Sequence, residues 1–278
     1  MNETPFGVSF LPLGGIANMS TPIKVMTFNM RINTPVDGDN WFRHRRPKIA
    51  EVIRRENPDI IGFQEIDEEM QDFLSETFPE YVILGHGRKD NYSWEGTPIA
   101  FRKSRFLLHT FRERWLSLEE NLPGSRLHGM GQSDCPRILV CAELIDRTSY
   151  KPFSFYNVHL DYIPDTAAQI VEAALLLKDI SESPFPYVLT GDFNSTPDSP
   201  VIKTILATNG RLGTVDVTKH VGPTFHNFGR IDPPKDQIDY IFTNLKTDPT
   251  ESYLVPDDNA CGYYYSDHYA VCGYVSID

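Results

Sequence analysis

The chain has 278 residues, 40% of them hydrophobic and 23% charged, and a formal net charge of −12. That apolar content is enough for a sizeable core and excludes a globally disordered chain. The acidity argues against non-specific binding of long nucleic acid, which needs many Lys and Arg contacts, and is compatible with divalent cations.

Residues 1–22 have a short apolar centre but no basic region before it, so a signal peptide is weakly supported and the segment reads as an extended arm. Residues 23–278 read as one domain, because no linker, repeat or low-complexity stretch divides them. Strand-like runs rich in Val, Ile, Phe and Tyr follow: "IKVMTFNMRI" (23–32), "YVILG" (81–85), "TPIAFRK" (97–103), "RILVCAELID" (137–146), "PFSFYNVHL" (152–160), "YVLTG" (187–191), "QIDYIF" (237–242) and "HYAVCGYVS" (268–276). Helices are expected at three places. Arg45–Arg55 puts Ile49, Val52 and Ile53 on one face and is stopped by Pro58. Asp67–Thr77 starts acidic and groups Met70, Phe73 and Leu74. Asp165–Ile180 opens on an Asp cap and is apolar on most sides, which predicts deep packing. Many strands with helices between them predict two sheets packed face to face, with helices outside.

Cys135, Cys141, Cys261 and Cys272 form no C-x-x-C pair, and no His/Cys cluster has zinc spacing. Reduced thiols in a cytoplasmic protein are expected. No apolar run is long enough to span a bilayer.

Polar residues fall repeatedly at the ends of the apolar strands. Asn29 sits late in "VMTFNM", Glu65 closes "DIIGFQEI", and His159 closes "FYNVHL". Asp192 and Asn194 follow "YVLTG", Asp239 lies in "QIDYIF", and Asp267 and His268 precede the last strand. Each alone suits a solvated strand end. Gathered at one rim, the carboxylates, carboxamides and imidazoles suit Mg²⁺ or Mn²⁺ and metal-assisted phosphoester hydrolysis. Asp192 and Asn194, two apart on a segment read as extended, point the same way. Asp239 is placed to hydrogen-bond one imidazole and keep it cationic beside a phosphate. G-x-S-x-G, Walker A and G-x-G-x-x-G motifs are missing from the sequence.

The stretches "VMTFNMR", "PDIIGFQEI", "YNVHLD", "LTGDFNSTPDS", "QIDYIF" and "YSDHYAV" resemble the endonuclease/exonuclease/phosphatase superfamily, in the family's order and across residues 24–275. "DGDNWFRHRRPKIAEVI", "GRKD", "RERWLS" and "CPRI" resemble a branch near the carbon-catabolite-repressor-type deadenylases and nocturnin. The resemblance implies a deoxyribonuclease-I-like fold: an α/β, four-layer α/β/β/α sandwich of two packed mixed sheets flanked by helices. It implies Glu65 as the principal Mg²⁺ ligand, with Mn²⁺ as a substitute, and Asn29 and Asp267 on the metal side. Asp192 would orient and deprotonate the attacking water, and Asn194 would hold that water or a phosphate oxygen. His268 would contact the phosphate with Asp239 behind it, and His159 would stabilise charge from the opposite side. Two departures concern possible phosphate-binding cations: Gln237 stands where the branch often has arginine, and "TAAQ" follows "HLD" where it often has "AR".

Among secondary candidates, Arg137 and Arg88 are read as substrate-binding, with a structural salt bridge and an ordinary polar loop as the plainer readings. Asp90 is placed near Arg88 at the cleft, and Trp41 and Trp94 are candidates for stacking, Trp41 more readily for packing. Asp161 is not expected to be catalytic, and "RHRRPK" (43–48) reads as a solvated basic face. The expected partner is a phosphoester substrate: short RNA, a nucleotide or a small phosphorylated metabolite, with the acidity favouring small ones. A monomer is expected. The competing reading is a catalytically inactive family member acting as a protein-binding scaffold.

Overall fold

The computed structural model describes residues 21–257 and 261–277, so the expected N-terminal arm lies, up to residue 20, outside the described residues. In chain order the elements are β1 (Ile23–Asn29), α1 (Phe42–Glu56), β2 (Ile60–Gln64), α2 (Glu68–Thr77), β3 (Tyr81–Leu84), β4 (Ile99–Arg102), β5 (Phe106–Trp115), β6 (Ile138–Asp146), β7 (Pro152–His159), α3 (Ala167–Glu182), β8 (Tyr187–Asp192), α4 (Pro200–Leu206), α5 (Asn209–Leu212), β9 (Val215–Asp216), β10 (Asp239–Thr243), β11 (Tyr253–Leu254) and β12 (Val271–Val275). They form two six-stranded sheets, ordered β11-β12-β1-β2-β4-β3 and β5-β6-β7-β8-β10-β9. The pairs β1–β2 and β7–β8 are parallel and the other ladders antiparallel, so both sheets are mixed.

Three apolar layers hold four structural layers together. α1 and α2 cover one sheet, with Ile49, Val52, Ile53, Met70 and Leu74 against Met26, Phe28, Ile61 and Phe63. α3 and α4 cover the other, with Leu176, Ile180, Ile202 and Ile205 against Tyr156, Val158, Leu189 and Phe242. Between the sheets lie Val25, Ile60, Val140, Phe153, Phe155, Val188 and Ile241. This is the α/β/β/α sandwich.

Strand side chains alternate between faces, so each inward-facing row can be read along its strand. Those rows change character toward one end of the sandwich. β1 runs Ile23, Val25, Thr27, Asn29; β7 runs Phe153, Phe155, Asn157, His159; and β8 runs Val188, Thr190, Asp192. β10 runs the other way and starts at Asp239, paired with Asp192. The inter-sheet layer is therefore apolar at one end and polar at the other.

A buried polar clamp marks the changeover. Asn157 Oδ1 accepts from Gln64 Nε2 at 2.8 Å and Thr190 Oγ1 at 2.9 Å, and Asn157 Nδ2 donates to the Phe63 carbonyl at 2.6 Å. β2 thus touches β7 and β8 closely. Gly62 permits this, because a Cβ there would lie 2.0 Å from Thr190 Oγ1 and 2.5 Å from Asn157 Oδ1.

The helix limits differ from those expected. α1 begins at Phe42, whose ring is buried, and contains Pro47. The cluster "RHRRPK" is not simply solvated: Arg45 is fully buried and donates to the carbonyls of Asn40, Met30, Tyr265 and Arg31. α3 is capped by Thr166, whose side chain accepts from Gln169 N, while Asp165 takes a left-handed φ of 58° outside the helix. It buries one face, carrying Ala173, Leu176 and Ile180, and leaves Ile170 exposed. β5 was not among the expected strands.

Candidate active site

All eight polar strand-end residues meet at the polar end of the inter-sheet layer. Asp192 is central. Its Oδ2 accepts from Asn29 Nδ2 at 2.9 Å and lies 3.5 Å from His159 Nε2 and 3.8 Å from His268 Nε2. Its Oδ1 accepts from the Asn194 backbone N–H at 2.8 Å. That bond closes a turn, and Asn194 takes a φ of 47°. The segment is therefore not extended here, and the carboxamide reaches the site through a left-handed residue. Asn194 Nδ2 donates to the Leu160 carbonyl at 3.0 Å and faces His159 Nε2 at 3.0 Å.

Asn29 joins the two halves. Its Nδ2 donates to Glu65 Oε1 at 3.1 Å as well as to Asp192, while its Oδ1 accepts from Arg31 N at 2.9 Å. The amide oxygen is thus engaged by backbone, and Asn29 serves as a bridge between two carboxylates. Glu65 Oε2 also accepts from Ile32 N at 2.7 Å. Glu65 itself has a φ of 63°, a left-handed conformation that costs on the order of 1 kcal/mol and aims the carboxylate off the strand end. Ser266 Oγ donates to the Asn29 carbonyl at 2.6 Å and accepts from His268 N at 3.3 Å, which ties the "SDH" loop to β1.

Electrostatics separate the roles. Burial lowers the tendency of His268 to charge, but Asp239, bonded to its Nδ1 at 2.8 Å, together with Asp192 and Asp267, pushes its pKa up to about 10. It is an imidazolium at neutral pH. Burial, with Asp239 nearby, pushes Asp192 up to about 7, a value suited to proton transfer near neutrality. Burial, with Arg137 and Arg88, holds His159 well below the usual histidine range, so it is neutral. Burial opposes the charge on Glu65, yet Arg31 and the Asn29 amide hold its carboxyl below the usual range. Burial and Glu65 raise Asp267.

The donor set fits a hard divalent cation on the Glu65 side. Glu65 and Asp267 are carboxylates close enough to oppose each other's ionisation, and nearby Arg31 is already engaged by Asp37 through hydrogen bonds of 3.0 and 3.1 Å. The other carboxylate cluster, Asp192 with Asp239, already has its cation in His268.

The secondary candidates divide. Arg88 and Arg137 are buried beside His159, Arg137 pairing with Asp161 at 3.4 Å. Asp90 is exposed. Arg88 stacks over Trp94 at 4.6 Å, and Trp41 Nε1 donates to Asn33 Oδ1 at 2.7 Å against the core, a packing role. Gln237 donates to the Thr218 carbonyl at 3.1 Å. Sequence reasoning missed Glu95, which is buried, bonded to Arg88 and near both Glu65 and His159. Its signal was faint: an acid in "WEGTP", just before an apolar strand. It also missed Arg31, whose left-handed φ of 56° places it between Asp37 and Asp267.

Comparison with known proteins agrees with this fold. Residues 26–268 match the family model described as Endonuclease/Exonuclease/phosphatase family. An uncharacterized protein of Acanthamoeba polyphaga mimivirus is 29% identical over 67% of this chain and 72% of its own length. Mouse protein angel homolog 2 is 26% identical over 64% of this chain, a match that spans 36% of that longer protein. Among solved structures, the endonuclease/exonuclease/phosphatase from Bacteroides vulgatus superposes with a TM-score of 0.83 at 27% identity, over 93% of this chain and 100% of that one. The mannosyl-6-phosphatase of Bacteroides thetaiotaomicron shares the fold, with a TM-score of 0.77 at 23% identity over 91% of this chain and 99% of that one. A family match over nearly the whole described chain, on a fold shared end to end, settles the classification: this chain is a phosphoester hydrolase of the endonuclease/exonuclease/phosphatase family.

Proposed function

We propose that the protein is a Mg²⁺-dependent phosphoester hydrolase, with Mn²⁺ as a substitute, in which Asp192 activates the attacking water. One observation carries the reading: Asp192 Oδ2 sits between the Asn29 amide, the His159 ring and the His268 ring, all within 3.8 Å. Glu65, with Asp267 nearby, would hold the cation, which when bound neutralises charge on the phosphate. His268, kept cationic by Asp239, attracts the phosphate and the charge that develops on it. Asn194 and Asn29 fix the Asp192 carboxylate against rotation. The water's proton passes to Asp192, its oxygen bonds to phosphorus, and the ester P–O bond breaks on the opposite side, the leaving oxygen taking its proton from solvent. His159, neutral and buried, donates to the phosphate as charge builds.

The substrate is a short RNA, a nucleotide or a small phosphorylated metabolite. The sugar-phosphate activity named for the Bacteroides thetaiotaomicron neighbour supports including the last class. The protein is proposed to act as a monomer in the cytoplasm. Free cysteines are compatible with that compartment, and among the described residues no helix is long and apolar enough to cross a membrane.

The test is a hydrolysis screen of oligo(A), bis-p-nitrophenyl phosphate, nucleotides and sugar phosphates, with Mg²⁺ or with EDTA. Turnover that needs Mg²⁺ is expected with at least one substrate class. Turnover unchanged by EDTA would contradict the metal role, and shortening of oligo(A) from one end would assign an exonuclease.

A further inference from the structure

Beside the reacting centre lie two buried arginines that the water-activating set leaves unused. Arg88 and Arg137 are only 4% and 1% exposed, and both stand close enough to His159 to oppose its protonation. Neighbouring buried cations are costly unless anions meet them. Here the anions fall short. Arg88 gives Nη2 to Glu95, but its Nε has no hydrogen-bond partner among the described residues. Arg137 reaches Asp161 Oδ2 only at 3.4 Å and the His159 carbonyl at 3.5 Å. Asp161 is already occupied by the Ser133 N–H and hydroxyl and by the Ile163 N–H.

His159 supplies a third donor. Asn194 Nδ2, which also donates to the Leu160 carbonyl, faces its Nε2, and with Nε2 as that amide's acceptor the ring hydrogen sits on Nδ1. That Nδ1 is buried and has no partner among the described residues. Buried donors left unmatched are rare in folded proteins and point to an absent acceptor.

We propose that Arg88, Arg137 and His159 Nδ1 form a subsite for the non-bridging oxygens of a phosphate monoester, and that Glu95 is the internal counter-ion such a dianion displaces from Arg88. The inference rests on the hydrolase reading above and names its substrate class, a phosphomonoester rather than an internal diester. A diester has one negative charge and two ester substituents, so a substituent would sit among buried guanidinium groups and leave them unmatched. A monoester offers up to two charges and three unsubstituted oxygens, which suit forked, charge-assisted donors. Glu95 fits the displaceable role. It is a like charge beside Glu65, with their carboxylate oxygens and a His159 nitrogen all within 4.8 Å of one another. The Trp94 backbone before it takes a φ of 74°, which an L residue rarely adopts, so the loop is held in a costly conformation there.

The experiment compares p-nitrophenyl phosphate with bis-p-nitrophenyl phosphate in Mg²⁺, and adds a calorimetric titration with inorganic phosphate. It uses the wild type, Arg88→Gln and Glu95→Gln, each with an intact thermal melt. The wild type is expected to favour the monoester by about 100-fold in kcat/KM. Arg88→Gln should lower the monoester value by about 30-fold and the diester value by no more than about threefold. It should also weaken phosphate binding, whereas Glu95→Gln should tighten it by about tenfold, a gain that a folding defect does not produce. A diester preference, or equal losses on both esters in Arg88→Gln, overturns the monoester subsite and leaves the hydrolase reading standing. If neither ester is cleaved, phosphate binding decides alone, and equal affinity in wild type and Arg88→Gln overturns the proposal.

Discussion

At the residue scale, the site is a set of charges kept apart by environment. His268 and Asp192 lie 3.8 Å apart, yet one is held protonated and the other is poised to lose its proton near neutrality. The Asp192 carboxylate must be free to act as a base and His268 must stay charged. kcat/KM is therefore expected to rise as pH passes about 7 and to fall as it passes about 10, with a cation beside Glu65 moving the lower limb down. A pH–rate profile with no upper limb would remove His268 from its role. Stability should follow the same pair. The His268 pKa rises from its ordinary 6.5 to about 10 on folding, so its contribution is full below 6.5 and is lost as pH climbs through 10. Urea midpoints should therefore fall from pH 7 to pH 10 more steeply in the wild type than in His268→Gln. These residue types were legible because each falls where an apolar strand ends. Glu95 and Arg45 were not, since a charged residue in a loop or basic run reads as solvated until the fold buries it.

At the scale of elements, the inward-facing rows explain both what was legible and what was not. In runs such as "FSFYNVHL" the inward-facing row goes from Phe153 and Phe155 to Asn157 and His159, so the strand and its site residue are visible together. β5 escaped because it is an edge strand, largely exposed along its middle and carrying Arg112, Glu113 and Arg114, with no sustained alternation. The expected helix began at Arg45, inside the basic run, and so missed the first residues of α1, where Phe42 is buried. Arg45 ties α1 to the strand end that carries Asn29 and to the loop that carries His268. Arg45→Met should cost about 3 kcal/mol through unmet carbonyls, read as a lower urea midpoint at unchanged slope. Gly62→Ala forces a methyl group into the Asn157 clamp between β2, β7 and β8. It should destabilise by about 2–3 kcal/mol and also lower kcat, because Gln64 and Thr190 precede Glu65 and Asp192. Wild-type stability in that variant would show that the sheets are not in close contact there.

At the scale of the molecule, a chain with a net charge of −12 concentrates its buried cations beside one site. Such a protein is suited to small anions rather than to a long polyanion. For a small phosphoester, kcat/KM should fall less than about threefold between 50 and 200 mM salt, whereas a protein gripping 6–10 phosphates loses about 10³–10⁵ in affinity over that range. The fold itself was legible from six ordered motifs, because the sandwich brings strand ends distant in sequence to one rim. The central claim is that this rim hydrolyses phosphoesters through Asp192. Its most direct test is turnover by Asp192→Ala at saturating Mg²⁺, beside the wild type and on the same substrate. The account predicts a cooperative melt and a fall in kcat of about 10³-fold. Wild-type turnover by that variant would contradict it.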